Sequence, residues 1–279
     1  MNLRYLPFLL LLCFLLPACG GKQDAGSDND SIAVVDSDSL SIDTIETDLY
    51  VDIPPKKADE LFDDFVYAFM RNKKFQHSRI EFPLKNMVEG ENQPISQYQW
   101  RHNPLYSDRE LFMTVSTSKK AAQVSKDTSL NYVAVLEINP QTKAVKQYDF
   151  NRINSEWKLT EINNSEVSEI AEGNADFLDF YCKFSTDKDF QQQHIASQID
   201  VSIRDEEMGE DIVGTIDAAQ WTDFAPQLPT DEVMVVRYGK DFKKSNQRIV
   251  NLAAPSGDAG ITMTFNKKGS DWMLCGYEN

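Results

Sequence analysis

The feature that most constrains this chain is that it repeats itself. Phe62, Asp64, Phe65, Phe69, Lys73, Phe75, Gln76 and Ile80 return 115 positions later as Phe177, Asp179, Phe180, Phe184, Lys188, Phe190, Gln191 and Ile195. The ends agree at the same offset: Phe150, Asn151, Ser155, Trp157 and Leu159 match Phe265, Asn266, Ser270, Trp272 and Leu274. Between them the offset grows to 121, where Ile95, Gln99, Trp100 and Met113 match Ile216, Gln220, Trp221 and Met234. Six residues gained and then lost fall most easily in loops, which tolerate such changes. The expectation is two copies of one domain, at 53–165 and 170–279.

Each copy begins with helical spacing. Phe62, Phe65, Val66 and Phe69 recur at three- and four-residue steps, with acids between them. Early acids suit the positive end of a helix. Lys73 to Ser78 reads as a second short helix, and Phe82-Pro83-Leu84 as extended chain. Asp176 to Ser185 repeats the first helix. The period then changes to two. Strands are expected at 111–117, 132–138, 144–150 and 157–162, and at 215–221, 232–239, 248–253, 260–265 and 272–277. Helices first and strands after predict an α+β class: two tandem cone domains, each with N-terminal helices packed on a bent, mainly antiparallel sheet.

Composition narrows the partners. With 41% hydrophobic and 26% charged residues, the bulk of the chain is globular in type. The net charge of −16 comes with no basic patch to neutralise phosphates, so nucleic acid is excluded as a partner. Residues 22–52 hold nine acids against Lys22 alone, with little apolar surface to offset ordering. Residues 19–52 therefore read as a disordered acidic tether, with a reach of about 30 Å.

The first 18 residues have the form of a secretory signal: Arg4, then an apolar run from Leu6 to Leu16, then Pro17 and Ala18. The run is shorter than the roughly 20 residues that span a bilayer. Leu16-Pro17-Ala18-Cys19 resembles a bacterial lipobox. The resemblance implies lipidation at Cys19 and anchoring to a membrane through acyl chains. Gly20 and Gly21 follow where an inner-membrane retention signal usually has Asp. This implies an outer-membrane anchor, on the periplasmic or cell-surface side.

Helix first and a Trp-x-Leu strand last, twice over, resemble the nuclear-transport-factor-2-like, or cystatin-like, cone. The whole chain is similar to a family of bacterial lipoproteins carrying two such domains. The marks are Phe62-Asp63-Asp64-Phe65, Phe82-Pro83-Leu84, Glu156-Trp157-Lys158-Leu159 and Asp271-Trp272-Met273-Leu274. The second copy departs at Ala196-Ser197-Gln198, where the first has Glu81-Phe82-Pro83. The resemblance implies the fold and no activity, since this fold hosts isomerases, dehydratases and plain binding modules.

Residues shared by both copies are expected to maintain the fold, so Trp100, Trp221, Trp157 and Trp272 read as core aromatics. His77, His102 and His194 have no metal-ligand spacing, and no metal or other cofactor is expected. The segment Tyr98, Trp100, Arg101 and His102 is the pocket candidate, because its polar cluster stands where the second copy has Thr222-Asp223-Phe224. An isomerase-type site needs a carboxylate base and a Tyr donor, for which Asp64, Tyr67, Tyr98 and Tyr148 supply atoms. No nucleophile elbow or phosphate-cradling loop is present, and no catalytic residue is assigned. Cys182 and Cys275 lie on a helix and a strand that pack together in the proposed fold; they form either a disulfide or two buried thiols. The sequence favours a non-catalytic binding module meeting an envelope protein, peptide or glycan. The alternative is a small-molecule pocket or an isomerase- or dehydratase-like enzyme in one cone.

Overall fold

The computed structural model describes residues 59–170, 174–205, 207–240, 244–256 and 260–279. The signal segment, Cys19, the tether and Pro54-Pro55 lie outside the described residues.

The first helix, α1 (Phe62–Arg71), buries Phe62, Phe65, Val66 and Phe69 on one stripe, with Asp63 and Asp64 in its first turn and Arg71 in its last. Helix α2 (Lys73–Ser78) starts at Asn72, whose side-chain oxygen accepts the Phe75 N–H at 2.9 Å. Then come β1 (Ile80–Val88), β2 (Glu91–Asn92) and β3 (Phe112–Ser116). A 3-10 turn (Ala121–Lys126) precedes the antiparallel meander β4 (Tyr132–Ile138), β5 (Ala144–Ile153) and β6 (Glu156–Glu166). The second half repeats the order. It has α3 (Ala175–Thr186), α4 (Lys188–Gln193), β7 (Ile195–Arg204), β8 (Asp211–Asp217), a short α5 (Trp221–Phe224), β9 (Val233–Tyr238), β10 (Gln247–Ala253), β11 (Ile261–Lys268) and β12 (Asp271–Glu278).

Two local expectations are refined. The strand expected at 215–221 stops at Asp217, and Trp221 is helical. Asp217 and Gln220 form a reciprocal capping box that ends the strand and starts a helical turn. Where the second copy departs from the first, at Ala196-Ser197-Gln198, the chain is still a strand. β7 pairs in parallel with β12 as β1 does with β6.

The strands form one twelve-stranded sheet in the order β2-β1-β6-β5-β4-β9-β3-β10-β11-β12-β7-β8. The expectation of one sheet per half gives way here. β3 does not pair with β4 of its own half, and β9 does not pair with β10. Instead β9 lies antiparallel on β4, and β3 lies antiparallel on β10. The two exchanged strands meet each other in parallel at Met113↔Val235 and Thr114↔Val236.

Two cores result, and strand alternation puts them on opposite faces of the sheet. On β4, Val133 and Val135 pack with the α1 phenylalanines, whereas Ala134 and Leu136 pack with the cluster that holds Phe177 and Phe184 of α3. Successive strand residues point to opposite faces, so α1 and α3 cover opposite sides. The central strands β4 and β9 are accordingly buried on both faces. The matched aromatics pack alike. Phe62 lies 5.3 Å from Phe150 and 5.2 Å from Trp157; Phe177 lies 5.4 Å from Phe265 and 5.2 Å from Trp272. All these rings are almost fully buried, so Trp157 and Trp272 are core residues, as expected for positions shared between the halves.

Candidate functional site

The loop after β2 carries three of the four pocket candidates to one hollow. Trp100, Arg101 and His102, with Asn103 and Pro104, form one wall. Asn86 of β1, Lys146 and Tyr148 of β5 and Asn164 of β6 form the other. The hollow has a volume of about 470 Å³. Tyr98 is not part of it and is 82% exposed.

One side chain makes four of the bonds that hold the loop. Gln76 of α2 is fully buried. Its Nε2 donates to Phe69 O (3.0 Å) and Asn103 O (2.7 Å). Its Oε1 accepts from Trp100 Nε1 (3.0 Å) and the Asn103 N–H (2.9 Å). All four bonding capacities of the amide are used. The other half keeps a reduced version: Gln191 Nε2 donates to Phe184 O at 3.0 Å and its Oε1 accepts from Trp221 Nε1 at 3.2 Å. The two bonds that Gln76 makes to the backbone of Asn103 are not repeated between Gln191 and Phe224, the matching position. Trp100 is thus tied to the fold by its indole nitrogen, while its neighbours differ between halves and face the hollow.

The floor is polar and satisfied. Asn103 Nδ2 donates to the Tyr148 hydroxyl at 2.9 Å, and that hydroxyl donates to Glu137 Oε2 at 3.3 Å. Burial, then the nearby Glu137 charge, pushes the Tyr148 phenol well above its ordinary range, so it stays protonated. His102 Nε2 is buried without a hydrogen-bond partner. The lining carries Arg101, Lys146 and His102 and no acid. In a chain of net charge −16 this is a local reversal of sign. Such a hollow can hold an anion with hydrogen-bonding hydroxyls.

Lys146, Asn86 and Asn164 escaped sequence reasoning. Lys146 was accessible in principle, because it lies two residues before Tyr148 on a strand and therefore on the same face. The groups considered for isomerase chemistry do not converge. Tyr67 is half exposed beneath the Arg71 guanidinium, Asp64 faces water, and only Tyr148 reaches the hollow. His77 and His194 bond backbone carbonyls at the ends of α2 and α4. Among the described residues no cluster of His, Cys, Asp or Glu is arranged to hold a metal.

The Cys182–Cys275 bridge is not formed, and both thiols are free. Cys182 is buried in the α3 core, where burial pushes its thiol up to about 11. Cys275 follows the core-facing Leu274 on β12, so its side chain turns to the other face; it donates to Thr264 O at 3.3 Å. Among the described residues no helix is long and apolar enough to cross a membrane.

A solved structure from Bacteroides fragilis, described as an NTF2-like protein at 2.15 Å resolution, is similar to this chain with a TM-score of 0.70 and 29% identity. The match covers 80% of this chain and 97% of that one. It supports the NTF2-like fold expected from the sequence. No curated protein matches the chain. The model of the family described as "Domain of unknown function (DUF4348)" matches residues 41–279, across both halves, and the chain belongs to that family.

Proposed function

We propose that this chain is a non-catalytic binding protein of the bacterial envelope. In this reading it is tethered to the outer membrane by lipid on Cys19 and built from two copies of one NTF2-like unit. Its ligand is an acidic glycan, held in the hollow over Trp100–Pro104. The observation that carries the reading is the lining: three basic side chains, side-chain amides from both walls, two aromatic rings and no carboxylate. Bases complement a uronic-acid carboxylate, and amides complement ring hydroxyls. The anchor rests on Leu16-Pro17-Ala18-Cys19 and the acidic spacer behind it. The duplication rests on the matched residues and on the matching aromatic geometry of the halves.

Calorimetric titration with trigalacturonate and with a neutral galactose trimer tests the ligand. The acidic trimer binds, more weakly as salt rises. Arg101→Ala and Lys146→Ala each weaken it by about tenfold or more, the loss expected for a hydrogen bond to a charged group. Equal binding of the neutral trimer, or indifference to both substitutions, refutes the assignment. Cys19→Ser tests the anchor by moving the protein out of the membrane fraction.

A further inference from the structure

We propose that the junction of the exchanged strands holds a second binding site, on the α1 side of the sheet, for a small ligand with an amine at one end and an apolar body. The proposal is independent of the glycan reading.

The exchange creates two seams, one on each face. Each is floored by a pair of strands and crossed by the first helix of one half. The two seams correspond residue by residue through the sequence offsets of 115 and 121. On the α3 side the floor is Val235 paired with Leu136 and Val233 paired with Ile138, and Leu178 of α3 presses on it. The space left there is about 10 Å³. On the α1 side the equivalent pairs are Thr114 with Asn251 and Phe112 with Ala253, and the equivalent helix residue is Asp63. Here the seam is a hollow of about 390 Å³, walled by the 3-10 turn. That volume is within the range of small-molecule sites.

At four of these equivalent positions the difference runs one way. Where one seam has Val235, Leu136, Ile138 and Leu178, the other has Thr114, Asn251, Ala253 and Asp63. Each is smaller or more polar. The same backbone can therefore be filled, and on the opposite face it is. The open seam owes its room to these four side chains, and the 3-10 turn adds a wall that is not part of the filled seam's lining.

The lining specifies the ligand's chemistry. Asp63 is the sole charged group, at the mouth, and its Oδ1 accepts from the Tyr238 hydroxyl at 2.5 Å. No Lys, Arg or His lines the hollow. Hydroxyls of Thr114, Ser116 and Ser125 accept or donate, while Phe112 and Val124 offer apolar surface. An ammonium group complements the carboxylate, and an anion finds no counter-charge. Asp63 is exposed at the mouth, where a bound cation reaches its carboxylate directly.

The test is titration of the full chain with 2-phenylethylamine and with 3-phenylpropionate, read by calorimetry. The amine binds saturably and the carboxylate does not. Asp63→Asn weakens the amine by about tenfold or more. The triple variant T114V/N251L/A253I, which installs the opposite seam's side chains, abolishes binding while melting at or above the wild-type temperature. Arg101→Ala leaves the amine affinity unchanged, which separates this site from the glycan hollow. If the triple variant fails to fold, Asp63→Asn alone decides. Absence of amine binding, equal binding of the carboxylate, or full affinity in Asp63→Asn overturns the proposal.

Discussion

Replacing Gln76 with leucine tests whether the loop is held by one buried amide. The substitution keeps bulk and removes four hydrogen bonds, to Phe69 O, Asn103 O, Trp100 Nε1 and the Asn103 N–H. Each partner left unpaired costs about 1 kcal/mol or more, so the total is about 4 kcal/mol. Gln191→Leu supplies the internal comparison. Gln191 makes two of the equivalent bonds and is only half-buried, so about 2 kcal/mol is expected. Total stability of an ordinary domain is about 5–15 kcal/mol, so both variants stay folded but are easily distinguished. Urea unfolding followed by tryptophan fluorescence measures both. Gln76→Leu also weakens binding at the hollow, because Trp100 and Asn103 lose their tie, whereas Gln191→Leu leaves binding alone. A cost for Gln191→Leu equal to or above that for Gln76→Leu refutes the reasoning.

Two further outcomes follow from the cores and the buried acids. Phe150→Ala and Phe265→Ala, each removing a fully buried ring against the first helix of its half, cost about 3–5 kcal/mol apiece and agree with one another within about 1 kcal/mol in chemical denaturation. Asp149 is held above the usual carboxylate range by burial, although Tyr132 and Gln147 donate to it. Its folded pKa exceeds its unfolded value, so it contributes stability at low pH and loses it as pH rises through the folded pKa. Asp149→Asn therefore costs more at pH 4 than at pH 7 in paired melts; the opposite trend contradicts the assignment.

Much of the fold was legible because the relevant signals are local. The three- and four-residue spacing of Phe62, Phe65 and Phe69 gave a helix, and the strand expected at 132–138 has its observed ends. The exchange of β3 and β9 was not legible. A strand's own pattern states which residues are buried, and not which neighbour it pairs with. Because 112–116 and 233–238 are matched strands, their own patterns do not say which slot each takes. One trace existed: Tyr132 to Leu136 and Val233 to Val236 are unbroken apolar runs, the mark of strands covered on both faces. The candidate loop was found from the contrast between Arg101-His102-Asn103 and Thr222-Asp223-Phe224. Lys146 and Asn164 were missed because they reach the hollow from strands distant in sequence. The second seam was invisible for the same reason, since Asp63, Thr114, Tyr238 and Asn251 come from four separate elements.

The claim on which the rest stands is that neither half completes its own sheet. Expressing 53–170 and 171–279 as separate polypeptides measures this directly. Without β9, the first half lacks the strand that covers β4 and supplies Met234 and Val236 to its core, about 3–6 kcal/mol of apolar burial before any lost backbone pairing. The account predicts that each piece alone shows no cooperative unfolding transition, and that the two mixed together form a one-to-one complex that melts cooperatively. A sharp two-state melt from either piece by itself contradicts it.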